Sequence, residues 1–345
     1  MSHSKSHKKI PKGLSRRDFI GKTTAAAAAF TIVPRQVLGG KGYTAPSDMV
    51  NVAGIGLGNQ GGSDIQNIAT PDVPIERRRG FPGMLMQRYA GIQPQRSGFT
   101  RPGEGRPPRR EGVEDTDAPV QMGAAGSEQT FKHANIYALC DVDSEYAGHI
   151  FAGYPKARKY ADFREMIDKE KEIDAVVIGT PDHTHAVIAA YAMKAGKHVF
   201  VEKPMAKTIH EVRFLKDLAK KTGLVTQMGN QGHNIEGTMQ TVEWIQSGAI
   251  GQVREVHMWS NRPVWKQGYF DRPEGIPVPE SLNYDIWLGP APEKPYHPDT
   301  THFAWRGLWD YGTGAMGDMG AHTFDAPIWA LKLGIPTRIQ ATTTP

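Results

Sequence analysis

Short apolar runs and longer amphipathic stretches alternate along much of the chain. Strands are predicted at residues 49–55, 135–142, 173–178, 198–201 and 224–228. Helices are predicted from about residue 61 and at residues 161–170, 185–195 and 209–222. Apolar strands that alternate with amphipathic helices indicate a parallel sheet covered on both faces, which is a doubly wound α/β fold.

The pattern changes in two places. Residues 70–132 are rich in Pro, Gly and Arg and show no apolar period, so we interpret them as a loop-rich insertion on the surface. After residue 232, helices are predicted at residues 237–247 and 315–333, the second with a break at Pro327. Strands are predicted at residues 251–260 and 337–344. This region is expected to form a second domain.

The basic charge of the chain is concentrated at its start. The net charge is +5, but residues 1–42 contribute +8 and the other 303 residues sum to −3, which argues against nucleic-acid binding. Residues 15–20 read Ser-Arg-Arg-Asp-Phe-Ile and precede a weakly apolar stretch that is too short to span a bilayer. We predict a twin-arginine signal peptide over residues 1–42, with a disordered basic tail as the alternative. The expected location is the periplasm or another exported compartment. The single cysteine, Cys140, lies in an apolar run and is expected to be an inert core thiol.

A glycine motif follows the first predicted strand directly. Residues 56–61 read Gly-Leu-Gly-Asn-Gln-Gly, and a G-x-G-x-x-G loop between a strand and a helix binds the pyrophosphate of a dinucleotide. The predicted contacts are Gly56, Gly58, Asn59, Gln60 and Gly61. Asp141 ends the second strand and is expected to bind the ribose hydroxyls, which favours NAD over NADP. A helix N-cap role for Asp141 is the alternative.

Further cofactor contacts are expected at the ends of later strands, where ligands bind in such sheets. Residues 179–185 read Gly-Thr-Pro-Asp-His-Thr-His. We assign Thr180, Pro181, His183, His185, Glu202, Lys203 and Asn230 to the cofactor site. A metal bound by the two histidines is the weaker interpretation, because zinc needs further ligands, and no metal is expected.

Three polar residues suit proton transfer. Lys203 follows a buried strand, and Asp318 and His322 are four residues apart, on one face of a predicted helix. An alcohol that loses a hydride must also lose its hydroxyl proton, and a histidine that titrates near neutrality is a suitable acceptor. The sequence therefore predicts a nicotinamide-dependent oxidoreductase. A solvated strand end for Lys203 and a surface ion pair for the other two residues are the alternatives.

These motifs occur in an order that resembles the Gfo/Idh/MocA oxidoreductases, and in particular their exported twin-arginine members. The order is the Gly loop, residues 180–185, Glu-Lys-Pro at 202–204 and Gly-Asp-Met-Gly-Ala-His at 317–322. The resemblance implies a Rossmann domain over residues 43–232 and an α/β domain with an open mixed sheet over residues 233–345. Two predicted strands would leave that sheet C-terminally incomplete. It also implies NAD or NADP as cofactor, Lys203 as the catalytic lysine, and Asp318 and His322 as the substrate-binding and proton-relay pair.

The expected substrate is a sugar, a glycoside or an inositol-like molecule. Trp265, Trp305 and Trp309 offer aromatic faces for a sugar ring, with core packing as the alternative. Lys203, His233, Arg306, Asp318 and His322 complete the predicted substrate site.

Three functions agree with these features: a hydroxyl oxidoreductase, an NAD-dependent glycoside hydrolase that uses transient oxidation and elimination, and a non-catalytic dinucleotide-binding module or inactive fragment. Besides the substrate, the expected partners are the twin-arginine export machinery and further copies of the chain. No nucleic acid and no stable membrane span are expected.

Overall fold

The computed structural model describes residues 48–75, 134–267 and 272–342. The predicted signal peptide and nearly all of the predicted insertion lie outside these ranges. In the parts described, no helix is both long enough and apolar enough to cross a membrane.

Six parallel strands form one sheet. They are β1 (Val50–Ile55), β2 (Ala134–Cys140), β3 (Arg158–Tyr160), β4 (Ala175–Ile178), β5 (His198–Glu202) and β6 (Thr226–Gly229). Their order across the sheet is β3-β2-β1-β4-β5-β6, and every pair of neighbours is parallel. The predicted doubly wound α/β fold is therefore confirmed. The three-residue strand β3 was missed because it is too short to produce an apolar period.

Helices cover both faces of this sheet. They are α1 (Gln60–Ile68), α2 (Gly148–Gly153), α3 (Phe163–Lys169), α4 (Asp182–Lys194) and α5 (Ile209–Thr222). Side chains of α1 and α2 pack in one apolar core, and those of α3, α4 and α5 in another, which includes the buried Cys140. The bounds of α5 agree with the prediction, because a capping box at Thr208 begins the helix and a left-handed glycine, Gly223, ends it.

The chain beyond the sheet is mostly helix and loop in the described residues. It contains α6 (Glu236–Gln246), α7 (Tyr284–Leu288), α8 (Gly314–Thr323) and α9 (Asp325–Leu331), with short 3₁₀ turns at Pro298–Thr300 and Ala304–Gly307. A third apolar core contains Trp287, Tyr296, Trp305 and Tyr311. Val142, which follows β2 at the carboxyl edge of the sheet, packs against it. This aromatic core joins the region to the carboxyl edge of the sheet.

Several predictions for the second half of the chain are wrong. No strand forms at residues 251–260 or 337–342, which are mostly exposed; residues 343–345 lie outside the description. A strand exists only when its backbone pairs with a neighbour, and no described segment pairs with either one, so these residues do not form the expected mixed sheet. The long helix at 315–333 is two helices that separate at Phe324, three residues before Pro327.

Candidate functional site

The Gly loop lies where the first strand meets its helix. Gly56 has a φ of 79°, in the left-handed region that glycine favours, and α1 begins at Gln60. A β-carbon on Gly61 would come within 2.0 Å of the carbonyl oxygen of Gly56. The third glycine therefore allows the helix to approach the loop closely, which leaves the N-terminal amide groups of α1 beside the site.

Asp141 is fixed to this loop by hydrogen bonds. Its Oδ2 accepts a hydrogen bond from the Leu57 amide at 2.6 Å, and its Oδ1 accepts one from the Asp143 amide at 2.9 Å. Burial raises the pKa of Asp141 to about 6. The carboxyl therefore holds the turn beside the cavity, and the neighbouring Asp143, rather than Asp141, caps the next turn by accepting from the amides of Glu145 and Tyr146.

The ring of Tyr146 lies directly on the second glycine of the loop. A β-carbon on Gly58 would be 1.7 Å from Cε1 of Tyr146. The same ring stacks on the imidazole of His302, with centroids 4.5 Å apart and an interplanar angle of 26°. Because a pyrophosphate approaches the backbone at this glycine, the ring must move aside when a dinucleotide is bound there.

The histidines at 183 and 185 are not available to a ligand. The predicted loop belongs to α4, which begins at Asp182, and both imidazoles are buried. The nitrogens of His183 lie 3.3 and 2.9 Å from the carbonyl oxygens of Tyr311 and Trp287, and those of His185 lie 2.7 Å from the carbonyl oxygens of Pro204 and Thr180. The expected contacts of these side chains with ribose or nicotinamide are therefore wrong. Their backbone partners join α4 to three other segments.

Metal ligation by the same histidines fails for the same reason, because neither ring has a nitrogen left for a metal. Across the described parts of the chain, no group of three or more His, Cys, Asp or Glu side chains is placed to hold a metal ion. Thr180, Pro181 and His185 line the cavity near the mouth of β4, although both nitrogens of His185 are engaged by carbonyl oxygens.

A buried pair of carboxyl groups lies at the cavity wall, which Glu202 lines. Asp64 on α1 and Glu202 at the end of β5 are 8% and 4% exposed, and their carboxyl groups contact each other. Gln60 donates to Asp64 Oδ1 at 2.8 Å and Gln231 donates to Glu202 Oε1 at 2.6 Å. The described residues offer no donor to Asp64 Oδ2, so a proton on one acid is the donor that this contact requires.

Burial is the main reason that the pKa of Asp64 rises to about 6 and that of Glu202 to about 7. Their mutual repulsion also raises the pKa of Glu202. A carboxyl whose pKa is raised by folding stabilises the protein below about pH 4 and loses that contribution as the pH rises through the folded-state values.

We predict that the free energy of unfolding of the native protein falls as the pH rises from about 5 to 8. This decrease should be roughly 2 kcal/mol larger than the decrease in Asp64→Asn. An asparagine at 64 donates permanently to Glu202 and removes one of the two acids. Denaturant unfolding across this pH range measures the difference. Exposed Asp217 provides the control, because Asp217→Asn should follow the native curve. Asp141 titrates in all three proteins, so its contribution to the pH dependence of stability cancels from the comparison. Parallel curves for the native protein and Asp64→Asn would contradict the shared proton.

Lys203 forms an ion pair with Asp318 on the opposite wall. Lys203 Nζ donates to Asp318 Oδ1 at 2.9 Å and to the Asp318 carbonyl oxygen at 3.1 Å. Arg306 Nε lies 3.3 Å from the same Oδ1. Burial alone would raise the pKa of Asp318, but Lys203 and Arg306 lower it, so the carboxylate is ionised near neutrality. The two alternatives, a solvated Lys203 and a surface ion pair of Asp318 with His322, do not describe these partly buried side chains.

His322 lines the same cavity, one turn beyond Asp318 on α8. The expected pairing of Asp318 with this imidazole is wrong, because its carboxylate is engaged by Lys203 and Arg306 instead. Burial and the Lys203 charge lower the pKa of His322, so the ring is neutral near pH 7. A neutral imidazole beside a lysine is able to accept a proton.

Two other predicted site residues bond to the helices that follow the cavity rather than facing the cavity. Asn230 donates to the Ala321 carbonyl at 3.0 Å, and His233 pairs with Asp325 at 2.9 Å while stacking on Trp329. Neither is among the described residues that line the cavity, so the expectation of direct ligand contact for them is wrong. They anchor α8 and α9 instead.

The three tryptophans predicted to stack on a sugar differ in whether they line the cavity. Trp265 and Trp305 line the cavity but are buried, and the guanidinium of Arg306 lies 4.3 Å over the ring of Trp305. One face of Trp305 is therefore already covered. Trp309 is 82% exposed and is not among the described lining residues, so the expected sugar stacking on it is wrong.

The Gly loop, Asp141, Lys203, Asp318 and His322 line one cavity of about 1510 Å³ at the carboxyl edge of the sheet. Tyr146, Gln231 and Arg262 also line it, and Asp64 contacts the lining residue Glu202. The predicted site residues included none of these four. Only the four-residue spacing of Gln60 and Asp64 on one helix face was a usable signal in advance.

Two models of the Gfo/Idh/MocA family match the chain. Residues 121–230 match the oxidoreductase family, NAD-binding Rossmann fold. Residues 242–336 match the oxidoreductase family, C-terminal alpha/beta domain. Together the two matches cover more than half of the 345 residues. The domain that contains the Gly loop is therefore an NAD-binding Rossmann domain.

The chain is also similar to characterised proteins over part of its length. It is 33% identical over 126 residues to 1-carboxy-3-chloro-3,4-dihydroxycyclohexa-1,5-diene dehydrogenase of Comamonas testosteroni, a match that covers 36% of this chain and 32% of that protein. It is 31% identical over 146 residues to inositol 2-dehydrogenase of Salmonella paratyphi B, and the match covers 40% of this chain and 43% of that protein. It is 27% identical over 146 residues to a glycosyl hydrolase family 109 protein of Shewanella pealeana, and the match covers 39% of this chain and 32% of that protein. The chain spans less than half the length of these relatives.

Proposed function

The chain belongs to the Gfo/Idh/MocA oxidoreductase family, and from this premise we propose that it transfers a hydride between NAD and a hydroxyl group of a sugar, glycoside or inositol-like substrate. The observation that carries the proposal is that one cavity is lined both by the Gly loop and by the Lys203–Asp318 pair. This arrangement supports a cofactor that enters along the loop and a substrate hydroxyl that meets the lysine.

Each residue has a defined part in the proposed reaction. The N-terminal amides of α1 and the Gly loop hold the pyrophosphate, and Asp141 accepts a ribose hydroxyl while it fixes the loop. Bound NAD supplies the hydride acceptor. Asp318 holds Lys203 in place, and Lys203 donates a hydrogen bond to the substrate hydroxyl. The neutral His322 takes the hydroxyl proton, directly or through Lys203.

The direct test is to incubate the purified full chain with NAD and a panel of hexoses, hexuronates, glycosides and inositols, and to follow NADH absorbance. Mass spectrometry of the purified protein identifies any nucleotide that it carries. A substrate-dependent rise in NADH supports the proposal. Nucleotide binding without NADH formation or substrate conversion across the panel would instead support the non-catalytic dinucleotide-binding module.

A second function has a specific observation in its favour, which is the similarity to a glycosyl hydrolase family 109 protein. Oxidation of one hydroxyl acidifies the neighbouring C–H, the aglycone leaves by elimination as that proton is lost and the glycosidic C–O bond breaks, water adds to the double bond, and the hydride then returns to the sugar. NAD is regenerated in such a cycle. Release of free sugar from a glycoside without net NADH therefore favours the hydrolase, and accumulation of NADH favours the dehydrogenase.

We predict a preference for NAD over NADP, because the Asp141 carboxylate repels a phosphate at the ribose. Asp141→Asn keeps an acceptor for the Leu57 amide but removes the charge, and it should narrow the NAD/NADP affinity ratio by about tenfold. Fluorescence titrations with NADH and NADPH measure both affinities. Tighter binding of NADPH by the native protein would contradict the assignment of Asp141.

We also propose that the protein is exported folded by the twin-arginine route. The support is the order of a basic segment, Arg16-Arg17 and a weakly apolar stretch in the sequence. Replacement of both arginines by lysine should leave the precursor in the cytoplasm, as measured by cell fractionation and immunoblotting. Export of the double variant at the native level would refute this route.

A further inference from the structure

The part of the cavity wall near Asp318 is built around one buried indole, to which Arg306 connects it. Trp265 is 6% exposed, and the guanidinium groups of Arg262 and Arg306 lie 5.7 and 5.9 Å from its ring centroid. Phe303 meets the same indole edge-on at 5.7 Å. Two arginines are therefore held on one aromatic platform at the place where the proposed function puts the substrate.

Arg306 is largely committed to protein groups. Its Nε lies 3.3 Å from Asp318 Oδ1, and its NH1 donates to the Phe303 carbonyl oxygen at 3.1 Å. Its guanidinium also covers the ring of Trp305. This side chain is rigid, and its remaining N–H groups keep a set direction.

Arg262 is different, because its guanidinium has no such partner. The side chain is partly buried and lines the cavity. Its backbone amide donates to Ser260 Oγ, but within the described residues no carboxylate or carbonyl pairs with its guanidinium. A partly buried cation without an acceptor is unfavourable unless another group supplies the negative charge.

The surrounding acids do not supply that charge. Arg262, Arg306 and Lys203 all lower the pKa of Asp318, so the three cations surround that one carboxylate. Asp182 already accepts from the amide and hydroxyl of Thr313 at 3.0 and 2.7 Å. Glu202 already accepts from Gln231 and from the Lys203 amide.

A further donor in this part of the cavity wall also lacks an acceptor. The indole Nε1 of Trp265 is buried and has no hydrogen-bond partner in the described residues. Donors therefore exceed acceptors around this indole, and an acceptor-rich group is the chemistry that balances them.

We propose that Arg262, together with Arg306, binds an anionic group of the substrate, a carboxylate or a phosphate. The substrate is then a sugar acid or a sugar phosphate rather than a neutral sugar. Both anions match the planar fork of a guanidinium, and the bond is charge-assisted. This inference rests on the proposed function only for the statement that the bound molecule is the substrate.

Calorimetric titration of the full chain, with and without NADH, tests the anion site directly. The ligands are matched triplets of a neutral hexose, its uronate and its 6-phosphate, in the glucose and galactose series. At least one anion should bind about 10- to 100-fold more tightly than its neutral hexose. The member of the triplet that binds best distinguishes a carboxylate from a phosphate.

The variants separate binding from folding. Arg262→Met keeps the aliphatic stem and should lose the anion preference, whereas Arg262→Lys should retain part of it. Arg254→Met, an exposed change in the same segment, should bind as the native protein does. Thermal unfolding confirms that each variant is folded.

The outcomes also separate this inference from the proposed function. Equal binding of anionic and neutral ligands, no binding by any member of the triplets, or an anion preference that survives in Arg262→Met overturns the anion site. NADH formation with neutral sugars would leave the oxidoreductase proposal intact in that case. An Arg262-dependent anion preference, together with no NADH formation across the whole substrate panel, would instead support the site and count against the oxidoreductase.

Discussion

Lys203→Met should lower single-turnover hydride transfer by about 10²–10⁴-fold and leave nucleotide affinity within about twofold, since lost acid–base catalysis has effects of that size. The methionine retains the length of the side chain but removes the donor that meets the substrate hydroxyl. Asp318 keeps Arg306 as an ionic partner, so its carboxylate is not left without a cation. Rapid-mixing measurements of NADH formation give the rate, and fluorescence titration gives the affinity.

His322→Gln should give a loss of similar size, because the neutral imidazole is the proposed proton acceptor. If the two residues form one relay, the double variant loses little more than either single variant. Lys207→Met is the matched control, because Lys207 lies beyond the same strand but contacts Trp309 outside the described cavity lining. A near-native rate in Lys203→Met or in His322→Gln would remove that residue from the mechanism.

Gly61→Ala should destabilise the protein by about 3 kcal/mol or more and abolish measurable NAD binding. The added β-carbon would lie 2.0 Å from the Gly56 carbonyl oxygen and 3.2 Å from Cα of Gly179. These atoms belong to the backbone and cannot turn away as a side chain would, so the expected loss is at the upper end of overpacking effects. Urea unfolding and calorimetric titration with NADH measure the two losses.

Gly148→Ala provides the contrast within the same fold. Gly148 begins α2, and a β-carbon there would meet no atom within 4 Å. Its stability should change by no more than about 1 kcal/mol, and alanine is the better helix former. If Gly61→Ala binds NADH as tightly as Gly148→Ala does, the close approach of α1 to the loop is not required for the cofactor.

Local patterns were sufficient for most of the sheet domain. Each central strand is a short apolar run between turn signals, and α5 has both of its caps in the sequence, at Thr208 and Gly223. The Gly loop was recognisable because its spacing, its position after a strand and its position before a helix are all local properties. The second half of the chain lacked such support, since a strand needs a neighbour and sequence pattern alone does not show whether one is present.

The partners of the polar groups were decided by tertiary packing and not by spacing along the sequence. Sequence motifs predicted that Lys203, Asp318 and His322 share one site, but the four-residue spacing paired Asp318 with His322, since residues four apart share a helix face. Packing joined Asp318 to Lys203 and Arg306 instead, from segments 115 and 12 residues away. His183 and His185 were also misjudged, because the carbonyl oxygens that engage them come largely from distant segments.

The sequence by itself determined the doubly wound sheet, the Gly loop and the identity of the groups at the carboxyl edge, because periodicity, capping and motif spacing are local. Only the tertiary structure decided which of those groups face the cavity and which partner each one has. It placed the shared contact of Asp64 and Glu202, the Tyr146 ring on Gly58 and the Arg262 guanidinium, which has no acceptor among the residues that the structure describes. Such contacts depend on burial and on distances between segments far apart in the chain, which no local pattern records.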